Sequence, residues 1–181
     1  NRSARYLAWQ KLHAMGADAE PALLSLYQDE NPRYRARALW LLGKIEGRGA
    51  FYVERALNDD NADIRCTAIR LCKQLGLSVA NVCGDAASDS SAAVRRELAV
   101  ALRFDESDVM PNIWAKLAMQ YDGADRWMLE ALGIGSDLRA DECYAAWMKA
   151  NQGDWNTPAG RDLVWRLRTD DAAAKTVELI A

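Results

Sequence analysis

Arginine returns in this chain at a fixed interval: Arg5, Arg35, Arg65 and Arg95 are each 30 residues apart. Four residues ahead of them stand Asn1, Asn31, Asn61 and Ser91, residue types that cap helix N-termini. Asp29, Asp59 and Asp89 occupy the turn before each cap. Apolar positions keep the same time, in the sets Ala8, Ala38, Ala68, Leu98 and Leu12, Leu42, Cys72, Leu102, with Leu23, Val53, Cys83, Ile113 between them. A period of this length marks a repeat whose single unit cannot bury its own apolar stripe, so neighbours must stack.

Each period holds two helical patterns. A short one reads "AEPALLSLYQ", "AFYVERALN", "VANVCGDAAS" and "VMPNIWAKLAMQ"; a longer, capped one reads "NPRYRARALWLLGKI", "NADIRCTAIRLCKQL" and "SAAVRRELAVALR". In the first longer segment Tyr34, Ala38, Leu41, Leu42 and Ile45 fall on one helical face. Val and Ile are sparse and no alternating run occurs, which argues against a sheet. The turn pattern Asp-x-Asn-x-x-x-Arg-x-x-Ala resembles the HEAT repeat. That resemblance implies an all-α fold, an α-solenoid of about five helix pairs with half-units at the ends, spanning residues 1–181 as one domain. It also implies that Asp29, Arg35, Asp59, Arg65, Asp89 and Arg95 form a hydrogen-bond ladder between successive repeats. An arginine fork suits that role, since it can bridge a carboxylate and turn carbonyls where units meet.

Composition removes several function classes. A formal net charge of −3 gives no general attraction for nucleic acid. No apolar run of about 18 residues is present, so direct membrane insertion is not expected. Cys66, Cys72, Cys83 and Cys143 form no Cys-x-x-Cys pair, and His13 is the single histidine, so neither zinc nor any other cofactor is expected. Cys72 and Cys83 occupy slots filled elsewhere by Leu, Val or Ile and read as small core residues. The first residue is Asn1 rather than Met, which reads as a fragment of a larger protein.

The segment "YDGADRWMLEALGIG", residues 121–135, crowds aspartates, an arginine, a tryptophan and a Gly-x-Gly together. Arg126 comes 31 residues after Arg95, so Asp122 and Arg126 are expected as the next rung, with Gly133 and Gly135 ending the helix. The Gly-x-Gly lacks the third glycine and the preceding strand of a nucleotide fingerprint. With "CYAAWMKANQGDWNTPAGRDLVWRLR" at 143–168, this stretch resembles a family of large bacterial membrane-bound dehydrogenases. Those proteins combine a sorbosone-dehydrogenase-like propeller, HEAT-like repeats and a cytochrome-c-like domain with a haem-binding Cys-x-x-Cys-His. The resemblance rests on Tyr121, Asp122, Gly123, Asp125, Arg126, Trp127, Glu130, Leu132 and Gly133, then on Gly160, Arg161, Asp162, Trp165 and Arg166. It implies an extracytoplasmic parent in which this chain is the linking repeat segment. None of the family's catalytic or haem-ligating residues has a counterpart here.

Two surfaces are candidates for partners. Arg33, Arg37, Trp40 and Lys44 share one off-core face of the second helix, continued by Asp63, Thr67, Arg70 and Gln74 and then by Ala93, Glu97, Val100 and Phe104. An exposed Trp among arginines suits a protein anchor; a solvated face with one stray Trp fits the same residues. Trp155, Arg161 and Trp165 surround a loop entering a helix capped by Thr157 and Pro158. Docking and plugging of the core end are both open for that cluster. The expected function is a non-catalytic scaffold that docks other domains of its parent chain, or another protein, without nucleic acid. The alternatives are a HEAT-like nucleic-acid-acting protein of the DNA-glycosylase kind and a small-molecule binder in the concave groove.

Overall fold

The computed structural model describes residues 2–178. Among these residues all regular structure is helical and no strand occurs, so the fold is an all-α helical repeat. Contacts divide the chain into two compact units, with the division between Leu77 and Ser78. The proposed cap Asn1 lies outside the described residues, as do residues 179–181 of the last helical pattern.

The first unit holds α1 (Arg2–Met15), α2 (Glu20–Tyr27), α3 (Pro32–Leu42), α4 (Gly49–Leu57) and α5 (Ala62–Gln74). Helices α2 and α3 pack as one pair and α4 and α5 as another; α3 also packs on α5, and α1 on α3. The capped turns work as their residue types dictate. The Asn31 side chain accepts from the Arg33 N–H at 3.0 Å, and that of Asn61 from Asp63 N–H at 2.9 Å. Pro32 follows Asn31 at the first helical turn, where its missing N–H costs nothing. Behind the caps, Ala38, Leu42, Ala68 and Cys72 are fully buried, the small residues letting helices approach closely. Tyr34 departs from the expected stripe and stays 43% exposed, while Ile45 lies beyond the end of α3 yet is buried by the turn. Helix α1 contains no buried residue; of its expected core positions Ala8 is exposed and Leu12 half-buried.

The second unit holds α6 (Val79–Cys83), α7 (Ala92–Ala101), α8 (Met110–Ala118), α9 (Arg126–Ser136), α10 (Ala140–Ala150), α11 (Pro158–Leu167) and α12 (Asp170–Glu178). Here the layering is explicit: α8 packs on α10, while α7, α9 and α11 pack in succession. Trp114 is fully buried and donates its indole N–H to the Leu132 carbonyl at 2.8 Å, so the largest core residue is also polar-satisfied. Its truncation to Ala would cost roughly 3–5 kcal/mol.

Helix α9 corrects the sequence expectation in two ways. Its N-cap is Asp125, whose side chain accepts from Met128 N–H at 3.1 Å, not a residue four positions before Arg126. Counted from the caps, Met128, Leu132 and Ser136 take the buried slots that Ile64, Ala68 and Cys72 take in α5. The slot of Arg35, Arg65 and Arg95 is therefore filled by buried Leu129, and Arg126 opens the helix at its exposed edge. Secondly, Gly133 and Gly135 sit inside α9 rather than ending it. A Cβ on Gly135 would collide with the Ala99 carbonyl oxygen of α7, and one on Gly133 with the Arg166 guanidinium of α11. Both glycines exist for close approach.

Candidate functional site

The repeat aspartates first close their own turns. One carboxylate oxygen of Asp29, Asp59, Asp89 and Asp122 accepts the N–H two residues on, at 2.7, 2.9, 2.8 and 2.9 Å respectively. Such turns hold the chain in the extended geometry that the following cap requires. Arg65 donates to the carbonyls of Asp59 and Asp60 at 2.8 and 3.1 Å, and Arg95 to those of Asp89 and Ser90 at 2.6 and 3.2 Å. Arg35 does more. Its Nε donates to the Tyr27 carbonyl at 3.2 Å, and its terminal nitrogen pairs with the Asp59 carboxylate one repeat further on. The Tyr27 hydroxyl donates to the same carboxylate at 3.4 Å, and burial followed by the Asp59 charge raises its phenol pKa. Tyr27, Arg35 and Asp59, with Arg55 over the Tyr27 ring, line an open polar recess of about 590 Å³.

In the second unit the cross-repeat contacts use other residues. Arg96 pairs with Asp125 at 2.6 Å, Arg166 with Glu130 at 3.1 Å, and the Tyr121 hydroxyl donates to Asp162 at 2.9 Å. Burial, then the Asp162 hydrogen bond, pushes the Tyr121 phenol up to about 12. Arg126 makes no such bridge; it pairs with Glu130 on its own helix and is largely exposed. A Cβ on Gly160 would collide with the Trp155 carbonyl oxygen, so this glycine lets α11 start tight against its loop. The residues behind the dehydrogenase resemblance, Tyr121, Glu130, Gly133, Gly160, Asp162 and Arg166, thus form one packing network within the second unit.

At the opposite helix ends lies a node that the 30-residue period did not signal. Asp105 is buried, and its carboxylate accepts from Ala80 N–H at 2.9 Å, Ser107 N–H at 3.0 Å and Ser78 Oγ at 3.0 Å. Burial alone would raise its pKa; bonds from Ser107, Ala80 and Ser78 outweigh that and hold the carboxyl below its ordinary value. Arg139 closes the node by donating to the Ser107 carbonyl at 2.7 Å. The sequence signal available was Asp105-x-Ser107, an aspartate two before a small hydroxyl residue.

The outward faces of the longer helices differ between units. In the first, Arg33 and Arg37 are exposed, Trp40 and Lys44 half-buried, and Arg70 exposed. Lys44 lies 5.4 Å over the Trp9 ring and Arg37 5.4 Å over that of Tyr34. In the second, the cap-based register puts Trp127, Ile134 and Leu138 in the slots of Arg33, Trp40 and Lys44; Trp127 is 76% exposed, Leu138 and Phe104 60%. The Trp155 cluster splits. Trp155 is buried with Lys175 5.7 Å from its ring, whereas Arg161 and Trp165 of α11 are exposed.

The four cysteines are buried thiols outside any disulfide, and burial pushes the Cys143 thiol up to about 12, the opposite of an activated thiolate. Among the described residues no cluster of His, Cys, Asp and Glu could hold a metal ion, and no helix is long and apolar enough to cross a membrane. No family model matches the chain, and no curated protein matches it.

Proposed function

We propose that the chain is a non-catalytic interaction scaffold, a stack of helical repeats that holds other domains or a partner protein against the outward faces of its longer helices. Within a haem-containing dehydrogenase of the kind that residues 121–168 resemble, it would position the catalytic and electron-transfer domains, outside the cytoplasm. The observation that carries the reading is the row Phe104, Trp127, Ile134 and Leu138. Phe104 and Leu138 occupy equivalent positions just after α7 and α9, and Trp127 and Ile134 extend that face along α9; all four are large apolar side chains, 38–76% exposed. Single exposed apolar residues are ordinary, but four of them grouped on two packed elements support reading this face as a contact surface. The charged residues of the resembling segment are engaged with one another, as Tyr121 with Asp162 and Arg166 with Glu130, which suits a framework role.

The test is titration of the chain against the propeller and haem domains of such a parent, followed by calorimetry. Trp127→Ala with Leu138→Ser should weaken binding at least about tenfold, since an aromatic anchor contributes on the order of 2 kcal/mol. Both side chains are exposed, so helicity should not change. Undiminished binding by the double variant would defeat the proposal.

A further inference from the structure

Charge is unevenly distributed along this chain. Residues 1–77 carry 12 Lys and Arg against 9 Asp and Glu, and residues 78–181 carry 11 against 17. The excess in the first unit is concentrated further: α1 and α3 contain six arginines and lysines and no carboxylate. Among the described residues Arg33, Arg37 and Lys44 have no ion-pair partner, whereas Arg35, Arg48, Arg96, Arg103, Arg126, Arg139 and Arg166 all do. The unpaired cations flank half-buried Trp9 and Trp40, and Asp63 of α5 is the one acid in the corresponding slots of the two complete repeats. Cations left unneutralised around a partly apolar floor are complementary to an anionic group carrying an apolar anchor.

We infer that the α3 face of the first unit binds an acidic segment of a partner protein, carboxylates meeting Arg33, Arg37 and Lys44 while an apolar side chain rests on Trp40. A single-stranded nucleic acid shares the charge but needs open ring faces on which bases stack. Here Lys44 covers Trp9, Arg37 covers Tyr34, and Tyr6 stacks on Trp9 with centroids 6.5 Å apart. These three rings are already engaged, which leaves half-buried Trp40 as a single ring. That is enough for one apolar side chain but not for a run of stacked bases, whereas guanidinium edges still offer donors in the fork that matches a carboxylate. This surface is separate from the apolar row of the second unit, so either assignment can fail alone.

The probe is a short fluorescein-labelled peptide rich in Glu and Asp around a central Leu, titrated with the whole chain and followed by anisotropy. Saturable binding that weakens with added salt is expected, with none for the Gln and Asn isostere of the peptide. Arg33→Gln with Arg37→Gln, both exposed, should weaken it about tenfold, as should Trp40→Ala. Arg126→Gln in the second unit should leave it unchanged. An acidic peptide that does not saturate, unaltered affinity in the Arg33/Arg37 variant, or tighter binding of an oligothymidylate of matched charge would each overturn the inference.

Discussion

The two units are built from the same helix pair and are locked by different chemistry. In the first, a residue of the 30-residue period reaches across: Arg35 bridges its own turn and the next repeat's Asp59. In the second, the period's arginine slot on α9 is filled by Leu129, and cross-links come from Arg96–Asp125, Tyr121–Asp162 and Glu130–Arg166. Outward, one unit presents unpaired cations and the other large apolar side chains. The core slots therefore define the repeat, while the polar links and outer faces are free to vary. That is the expected behaviour of a stack in which stability is a sum of unit and nearest-neighbour terms.

Gly135→Val drives a side chain into the Ala99 carbonyl, a backbone atom that cannot rotate away, and should cost roughly 3 kcal/mol in urea denaturation. A loss no larger than that of a surface substitution would mean α7 and α9 are not in that contact. Asp59→Ala removes a largely buried acceptor from Arg35 and Tyr27 and should cost about 2 kcal/mol. Asp105→Asn tests the second unit's node through pH. The folded carboxyl titrates below its unfolded value, so its contribution is full above about pH 4 and lost as pH falls through the folded pKa. Wild type should exceed the Asn variant in stability at neutral pH and converge with it in acid; parallel curves would refute the node. Smallest of all is Arg126→Ala, which should leave the unfolding midpoint unchanged, because Arg126 pairs only within its own exposed helix face. A cost of about 1.5 kcal/mol or more would restore Arg126 to the ladder.

How far the sequence alone reached follows from these residues. Core slots at a fixed distance from a cap were legible, because burial at helical spacing leaves a pattern in residue type: Ala38, Ala68 and Leu98 are all fully buried. The ladder was partly legible. Residue identity located Arg35, Arg65 and Arg95, but whether a guanidinium holds its own turn or crosses to a neighbour depends on distances between helices. Arg126 misled because the turn before α9 is longer, with Gly123 at φ +85°, so matching arginine to arginine shifted the register by three residues. That shift hid Trp127, Ile134 and Leu138 as surface positions. Gly133 and Gly135 looked like a helix stop because the neighbouring backbone that requires them belongs to elements far away in sequence. Asp105 was invisible to the period because its node repeats no earlier residue.

Asp59 joins α3 to α5 in the first unit through Arg35 and Tyr27, and Arg166 joins α11 to α9 in the second through Glu130. Native-state hydrogen exchange on the whole chain tests both links, read by mass spectrometry peptide by peptide for Asp59→Ala and for Arg166→Ala. Protection reports local opening free energy, so each substitution should loosen its own surroundings most. Asp59→Ala should speed exchange chiefly in α3 to α5, and Arg166→Ala chiefly in α9 and α11. Equal acceleration of both units by either substitution, or loss in α3 to α5 on removing Arg166, would contradict the account.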